Sequence, residues 1–188
     1  MKSIAITGSF ASGKSFVLKY LEKLGYKVFS CDEYVKQLYL DLNIQAELIN
    51  IFDKIGTSFD KKKLAEFVFN DNEQRKKLEK YIHPKVIEGI NKFKDEYNNE
   101  NIIFTEVPLL FETGFNDYFD YSICVYCDED SRKKKAKMRN DFNLEIYNKI
   151  KNIQLPQKVK KKLANFQINT DMDIEFQISK IIDKLNEY

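Results

Sequence analysis

The sequence predicts an alternating α/β fold built on a parallel sheet. Three observations carry this expectation. The chain opens with a short strand, a glycine-rich turn, an amphipathic helix and a second strand, an order that needs a crossover and makes the two strands parallel. Two later runs, Asn101 to Val107 (NIIFTEV) and Tyr121 to Cys127 (YSICVYC), have the apolar, β-branched character of strands covered on both faces. Helical periodicity fills the stretches between.

Taken in order, Lys2 to Thr7 reads as the first strand and ends at Gly8. Residues 14–24 place Val17, Leu18, Leu21 and Leu24 on one helical face, and Gly25 stops that helix. Tyr26 to Ser30 is the second strand. Residues 33–53 read as one helix, with Val35, Leu38, Leu42 and Ile49 among its apolar positions. A helix follows over 61–82, and another runs from Pro84 to about Tyr97, since proline suits a first helical turn. After the two apolar strands come helices at 130–139 and 143–152. Residues 164–169 (ANFQIN) read as a short last strand. The final helix, 173–187, places Ile174, Ile178, Ile181, Ile182 and Leu185 on one face. The helical insertion between the second and third strands is unusually large for this pattern, and no internal repeat or Gly/Ser/Pro-rich linker interrupts the chain.

Composition narrows the class. A chain of 188 residues, 43% hydrophobic and 32% charged, can bury one sizeable core and reads as globular. No apolar run reaches the roughly 18 residues of a spanning helix, and the N-terminus lacks a signal-peptide core. Three cysteines cannot form a disulfide framework, so a reducing cytoplasm is expected. The net charge of +2 gives no reason to expect nucleic acid or a membrane as partner. The charge is uneven, however. Residues 131–162 hold 12 Lys or Arg against 2 Asp or Glu, and the rest of the chain holds 19 against 27. Such a block either meets a polyanion or forms a solvated, self-repelling helical face.

Gly8-Ser9-Phe10-Ala11-Ser12-Gly13-Lys14-Ser15 fits G-x-x-x-x-G-K-[ST] at every required position. The glycines let the backbone curl so that successive N–H groups point inward at phosphate oxygens, and the helix starting at Gly13 to Lys14 adds its positive end. Lys14 is expected to reach the β- and γ-phosphates of a nucleotide, and the Ser15 hydroxyl to ligate Mg²⁺. The strand–loop–helix context at the N-terminus supports phosphate binding over an incidental glycine turn.

A switch GTPase is not expected. Asn91-Lys92-Phe93-Lys94-Asp95 puts its Asp one residue too late for the guanine-reading N-K-x-D, and Asp53-Lys54-Ile55-Gly56 follows a helical segment, where Gly56 reads as a C-cap. Large motor ATPases are excluded by length. A small-molecule kinase remains, and it needs a carboxylate on the acceptor side. Asp32 lies just past the end of the second strand, where ligands bind in open α/β sheets. The same position suits an N-cap of the helix from 33, and the two roles are compatible.

The chain resembles the dephospho-CoA kinase family over nearly its whole length. The resemblance is carried by Ile6-Thr7-Gly8 with the loop through Ser15, Cys31-Asp32, Phe69 and Leu78 leading into Ile82-His83-Pro84, Val107-Pro108-Leu109-Leu110-Phe111-Glu112, Arg139, Gln154, and Ala164-Asn165 before Ile168-Asn169. It implies a P-loop kinase fold: a five-stranded parallel sheet flanked by helices, with a helical acceptor-binding region over about 33–99 and a lid over about 131–162, in one domain spanning 1–188. It implies transfer of the ATP γ-phosphoryl group to the ribose 3′-hydroxyl of dephospho-CoA. Asp32, Lys14, Arg139 and Thr7 would be catalytic. Ala11, Ser12, Gly13, Lys14, Ser15, Phe16 and Asn169 would bind ATP, with Mg²⁺ at Ser15. Asp32, His83, Pro108, Leu109 and Leu110 would bind the acceptor. The basic segment would then close over the nucleotide with Arg139.

The chain departs from the family pattern at several positions. Ser30 and Cys31 replace the first two residues of Asp-Ala-Asp, Glu106 replaces an Asp, Asn165 replaces an Asp, and Lys135 stands for a lid arginine. His83, the sole histidine, suits a structural turn or acceptor contact better than proton transfer, and precedes Pro84, which favours extended backbone. Cys124 and Cys127 face opposite sides of a strand and read as core, not as a zinc pair. Two alternatives remain at this level: another small-molecule P-loop kinase acting on a nucleoside or nucleotide, and an ATPase stimulated by a polyanion bound at 131–162.

Overall fold

The computed structural model describes residues 1–52, 56–138 and 143–187. The chain divides into two compact units, one formed by Met1–Phe29 with Tyr97–Tyr188, the other by Ser30–Glu96.

The first unit is built on a five-stranded, all-parallel sheet in the order β2-β3-β1-β4-β5. Its strands are β1 (Lys2–Thr7), β2 (Lys27–Ser30), β3 (Ile102–Glu106), β4 (Tyr121–Tyr126) and β5 (Phe166–Asn169). β1 is central, with Ile6 in register with Glu106 on one side and with Ile123 on the other. Because all five strands run the same way, Thr7, Glu106, Tyr126 and Asn169 end at one edge of the sheet, the edge at which open α/β sheets bind ligands.

Helices α1 (Lys14–Lys23) and α9 (Ile174–Glu187) cover the sheet. Val17, Leu18 and Leu21 of α1 and Ile178, Ile181 and Leu185 of α9 are buried with Ile4, Ile6, Phe104, Ile123, Val125 and Ile168. Each such side chain contributes about 1.5–3 kcal/mol on burial, so this cluster outweighs the modest intrinsic propensity of either helix. Leu24, expected on the buried face of α1, is its C-cap and is exposed, because the helix ends at Lys23 and Gly25 turns the chain with φ +93°.

The second unit is all helical among its described residues: α2 (Cys31–Leu38), α3 (Leu42–Ile51), α4 (Lys61–Asn70) and α5 (Asn72–Glu96). Ile44, Leu48, Phe52, Leu64 and Val68 form its core. The Tyr34 ring lies so close to α5 that a Cβ on Gly89 would approach it to 2.6 Å, so any larger residue there would push the ring aside.

Two expectations are corrected here. The single helix over 33–53 is two helices, because the Asp41 side chain accepts from Asn43 N at 2.8 Å and caps α3; Leu42 is consequently exposed. Pro84 does not start a helix, and His83 is not extended. Asp71 caps α5 by accepting from Glu73 N and Gln74 N, and the helix then runs through Pro84. Pro84 costs a helical hydrogen bond, on the order of 3 kcal/mol. The apolar stripe Ile82, Val86, Ile90 and Phe93 is buried on both sides of it, which favours continuation.

Three more helices complete the first unit: α6 (Glu129–Lys137), α7 (Leu144–Ile153) and α8 (Gln157–Leu163). The last was not expected. Val159 N and Lys160 N both donate to the Pro156 carbonyl and start it. The D-x-x-G reading at Asp53–Ile55 lies outside the described residues. Among the described residues no helix is long and apolar enough to cross a membrane.

Candidate active site

The loop between β1 and α1 has the shape that its glycines predict. Gly8, Ala11 and Gly13 have φ of +150°, +60° and +98°. A Cβ on Gly8 would meet the Val125 carbonyl at 2.1 Å, so no other residue fits there. Lys14 is buried and curls back over the loop, its Nζ donating to the carbonyls of Gly8 at 3.1 Å and Ser9 at 3.2 Å. An ammonium so held lies over the first residues of the loop. Ser12 is fully buried, and its Oγ has no hydrogen-bond partner among the described residues. Ser15 and Phe16 in the first turn of α1 are exposed.

Two contacts fasten the loop from outside it. Thr170, just past β5, donates from Oγ1 to the Ser12 carbonyl at 2.8 Å, and its methyl lies 3.0 Å from where a Gly13 Cβ would be. Lys135 Nζ donates to Thr170 Oγ1 at 2.7 Å and pairs with Asp171 at 3.3 Å. On the other side, Phe10 N donates to Gln154 Oε1 at 2.8 Å, and the Phe10 ring meets Tyr147 edge-on. Asn169 forms the turn after β5: its N–H donates to Gln177 and its Oδ1 accepts from Asp171 N.

Behind the loop lies a buried ion pair. Lys160 is wholly enclosed, and its Nζ donates to Glu112 at 2.8 Å and to the Pro108 carbonyl at 2.6 Å. Glu112 also accepts from Leu155 N at 2.8 Å. The Thr7 hydroxyl, fully buried at the end of β1, donates to the same Pro108 carbonyl at 3.3 Å. Burial lowers the Lys160 pKa, while the Glu112 carboxylate works against that shift. The pair thus ties α8 to the turn after β3, which carries Pro108, Leu109 and Leu110, and Thr7 ties the same turn to the end of β1. Leu110 is fully buried, whereas Pro108 and Leu109 are half-buried. Glu106 is buried at the end of β3, level with Ile6.

The first unit therefore brings together Thr7, Ala11 to Phe16, Pro108 to Leu110 and Asn169. Asp32 and His83 belong to the helical unit. Asp32 is not the N-cap of its helix. Ser30, extended at the end of β2, takes that role by accepting from Glu33 N at 3.4 Å, and Asp32 lies in the first turn, favoured there by the helix dipole. His83 is half-buried in α5, and burial lowers its pKa against a weaker opposite effect of Glu79. Arg139 lies outside the described residues. Asn165 accepts from Ser122 N and Ser122 Oγ, so it joins the starts of β4 and β5. Cys124 and Cys127 are buried, and burial pushes the Cys124 thiol up to about 11.

Sequence reasoning missed Thr170 and the Lys160–Glu112 pair. Lys160 looked like one more surface lysine of the basic block, and nothing local marks it as buried. Gln154-Leu155-Pro156 was the available signal, a helix boundary beside a polar residue.

The dephospho-CoA kinase family model matches residues 2–175. A dephospho-CoA kinase of Rickettsia typhi is 41% identical over 188 residues, covering 98% of both chains. One from Fusobacterium nucleatum is 36% identical, covering 95% of this chain and 94% of the relative. Among solved structures, a Thermus thermophilus protein superposes with a TM-score of 0.86 at 28% identity, covering 99% of this chain and 97% of the other. The Campylobacter jejuni dephospho-CoA kinase gives 0.69 at 29%, covering 98% and 97%. A shikimate kinase from Bacteroides thetaiotaomicron, 14% identical with a TM-score of 0.52, shares the fold alone. With a phosphate loop at the head of a five-stranded parallel sheet and a family match that spans both units, the chain belongs to the dephospho-CoA kinase family.

Proposed function

We propose that this chain transfers the γ-phosphoryl group of ATP to the ribose 3′-hydroxyl of dephospho-CoA, giving coenzyme A and ADP. The observation that carries the proposal is the phosphate loop, with its positive-φ residues and Lys14 folded over Gly8 and Ser9, in a member of this family. Phosphoryl transfer needs positioning and charge neutralisation more than covalent help from the protein. Backbone N–H groups over Ala11 to Phe16 bind the phosphates, Lys14 neutralises the β- and γ-oxygens, and Asn169 borders the adenine.

Asp32 orients the 3′-hydroxyl and takes its proton as the oxygen attacks the γ-phosphorus. The bond to the bridging oxygen breaks, and ADP leaves. Arg139, in a lid over about 131–162, neutralises the charge that develops on the transferring group. Thr7 fixes the end of β1 through Pro108. His83, Pro108, Leu109 and Leu110 contact the acceptor, within a helical acceptor region over about 33–99 of one kinase domain. Mg²⁺ fits the donors present: Ser15 offers an exposed hydroxyl at the loop, and among the described residues no cluster of three acidic, His or Cys side chains competes for the ion. Magnesium characteristically takes one or two protein oxygens beside phosphate and water, and it would screen the polyphosphate charge. The location in this reading is cytoplasmic, three cysteines being too few for a disulfide framework.

The test is mass-spectrometric detection of coenzyme A after incubation with MgATP and dephospho-CoA. Coenzyme A and ADP in equal amounts are expected. Phosphorylated nucleosides in parallel incubations without coenzyme A, or ATP hydrolysis alone, would refute the assignment.

A further inference from the structure

A small pocket adjoins the phosphate loop on the Phe10 side. Ser9, Phe10, Arg132, Tyr147, Lys151 and Gln154 line it. Both charged residues in this wall are cations. Arg132 is 7% exposed, deeply buried for a guanidinium. Burial lowers its pKa, but the hydrogen-bonded Glu129 carboxylate and the nearby Tyr147 outweigh that and raise it. Its Nε has no hydrogen-bond partner among the described residues. Among the described residues Glu129 is the single carboxylate engaging both cations, and it pairs with Lys151 at 3.1 Å. Two positive charges therefore share one negative charge at the wall of a pocket that opens beside Ser9.

Burial of a guanidinium with an unsatisfied donor costs free energy, and a simple ion pair does not explain it. Buried pairs are commonly no more stable than apolar replacements. A guanidinium with donors to spare is suited to phosphate oxygens, which it can take two at a time. The pocket's location selects which phosphate. Ser9 forms part of its wall, and the Ser9 carbonyl also holds Lys14 Nζ, the group that reaches the β- and γ-phosphates in loops of this type. The pocket thus adjoins the terminal end of the polyphosphate.

We propose that Arg132 is a further catalytic residue, whose guanidinium takes the terminal phosphate end of ATP beside Ser9 while Glu129 occupies it in the absence of nucleotide. The inference rests on the kinase reading. Glu129 is then a competitor for the guanidinium, not its purpose. Lys151 remains to hold Glu129 once Arg132 turns to the phosphate.

Arg132→Gln and Glu129→Gln both abolish the ion pair and separate the two accounts. MgATP titration is measured for each variant, with thermal melts and steady-state kinetics. Arg132→Gln is expected to weaken ATP binding roughly 10- to 100-fold, the scale of a lost charged hydrogen bond, and to lower kcat with the KM for dephospho-CoA unchanged. Glu129→Gln is expected to bind ATP as tightly as wild type or more tightly. If Arg132→Gln unfolds, Arg132→Lys carries the test, with ATP binding expected to weaken several-fold because a point charge lacks the fork. Wild-type ATP affinity in the Arg132 variants, or equal loss in Arg132→Gln and Glu129→Gln, overturns the proposal. Failure of the wild type to make coenzyme A would refute the kinase reading instead, while the ATP titrations would still decide the role of Arg132.

Discussion

Replacing Lys160 with Met should destabilise the protein strongly, and a second substitution should rescue it. Lys160 is wholly enclosed and Glu112 nearly so, 2.8 Å apart. With the ammonium gone, the Glu112 carboxylate keeps only Leu155 N among its described partners, and the Pro108 carbonyl keeps only the longer bond from Thr7. Breaking a buried pair from one side costs about 3–5 kcal/mol, because the remaining charge is desolvated and uncompensated. For a chain of this length each kcal/mol moves the melting point by roughly 2–4 °C, so Lys160→Met should melt about 10 °C lower. Adding Glu112→Gln removes the stranded charge, and the amide oxygen can still accept from Leu155 N. The double variant should recover most of the loss. The assay is a thermal melt of wild type, both single variants and the double variant, read as a cycle. A double variant no more stable than Lys160→Met would refute the charge argument and point to packing of the lysine stem.

Lys14→Ala should lower turnover by roughly 10²–10³ in a folded protein, read from coenzyme A formation, since one charge contact to the transferring group is lost. Asp32→Asn should melt like wild type, because Ser30 and not Asp32 caps α2, while phosphoryl transfer falls by roughly 10²–10⁴; unchanged kcat would remove the general-base role. Arg139→Ala should depress kcat more than it raises the KM for dephospho-CoA, with Arg139→Lys recovering only part; a raised acceptor KM alone would reassign it. The pKa of His83 is lowered from 6.5 by burial, so the unfolded chain binds more protons than the folded one below that value. Stability should therefore fall as pH drops below about 6.5, and His83→Gln should flatten that slope in melts across pH 5–7.

What the sequence determined was local chemistry. The phosphate loop was legible because its requirements are local: positive φ needs glycine at Gly8 and Gly13, and phosphate needs Lys14 within reach of its own loop. The strands were legible because a parallel sheet buries both faces and leaves continuous apolar runs. Asp32 was legible as a residue beyond the second strand, but whether it also caps the helix was not, because Ser and Asp are equally good capping residues and only the backbone conformation at Ser30 decides between them. Pro84 was misread for a related reason. Propensity argues for a helix start, yet the buried stripe from Ile82 to Phe93 is a tertiary contact and overrides it. Arg132, Lys160 and Thr170 were out of reach altogether. Arg132 and Lys160 lie in a run of basic residues, and burial depends on which chain segments pack around a side chain: Lys160 meets Pro108 from 52 positions away, and Thr170 meets Ser12 from 158. Sequence fixes which groups exist, but only the packed structure decides which of those charges lose their water, and desolvation is what turns a surface cation into a structural or catalytic one.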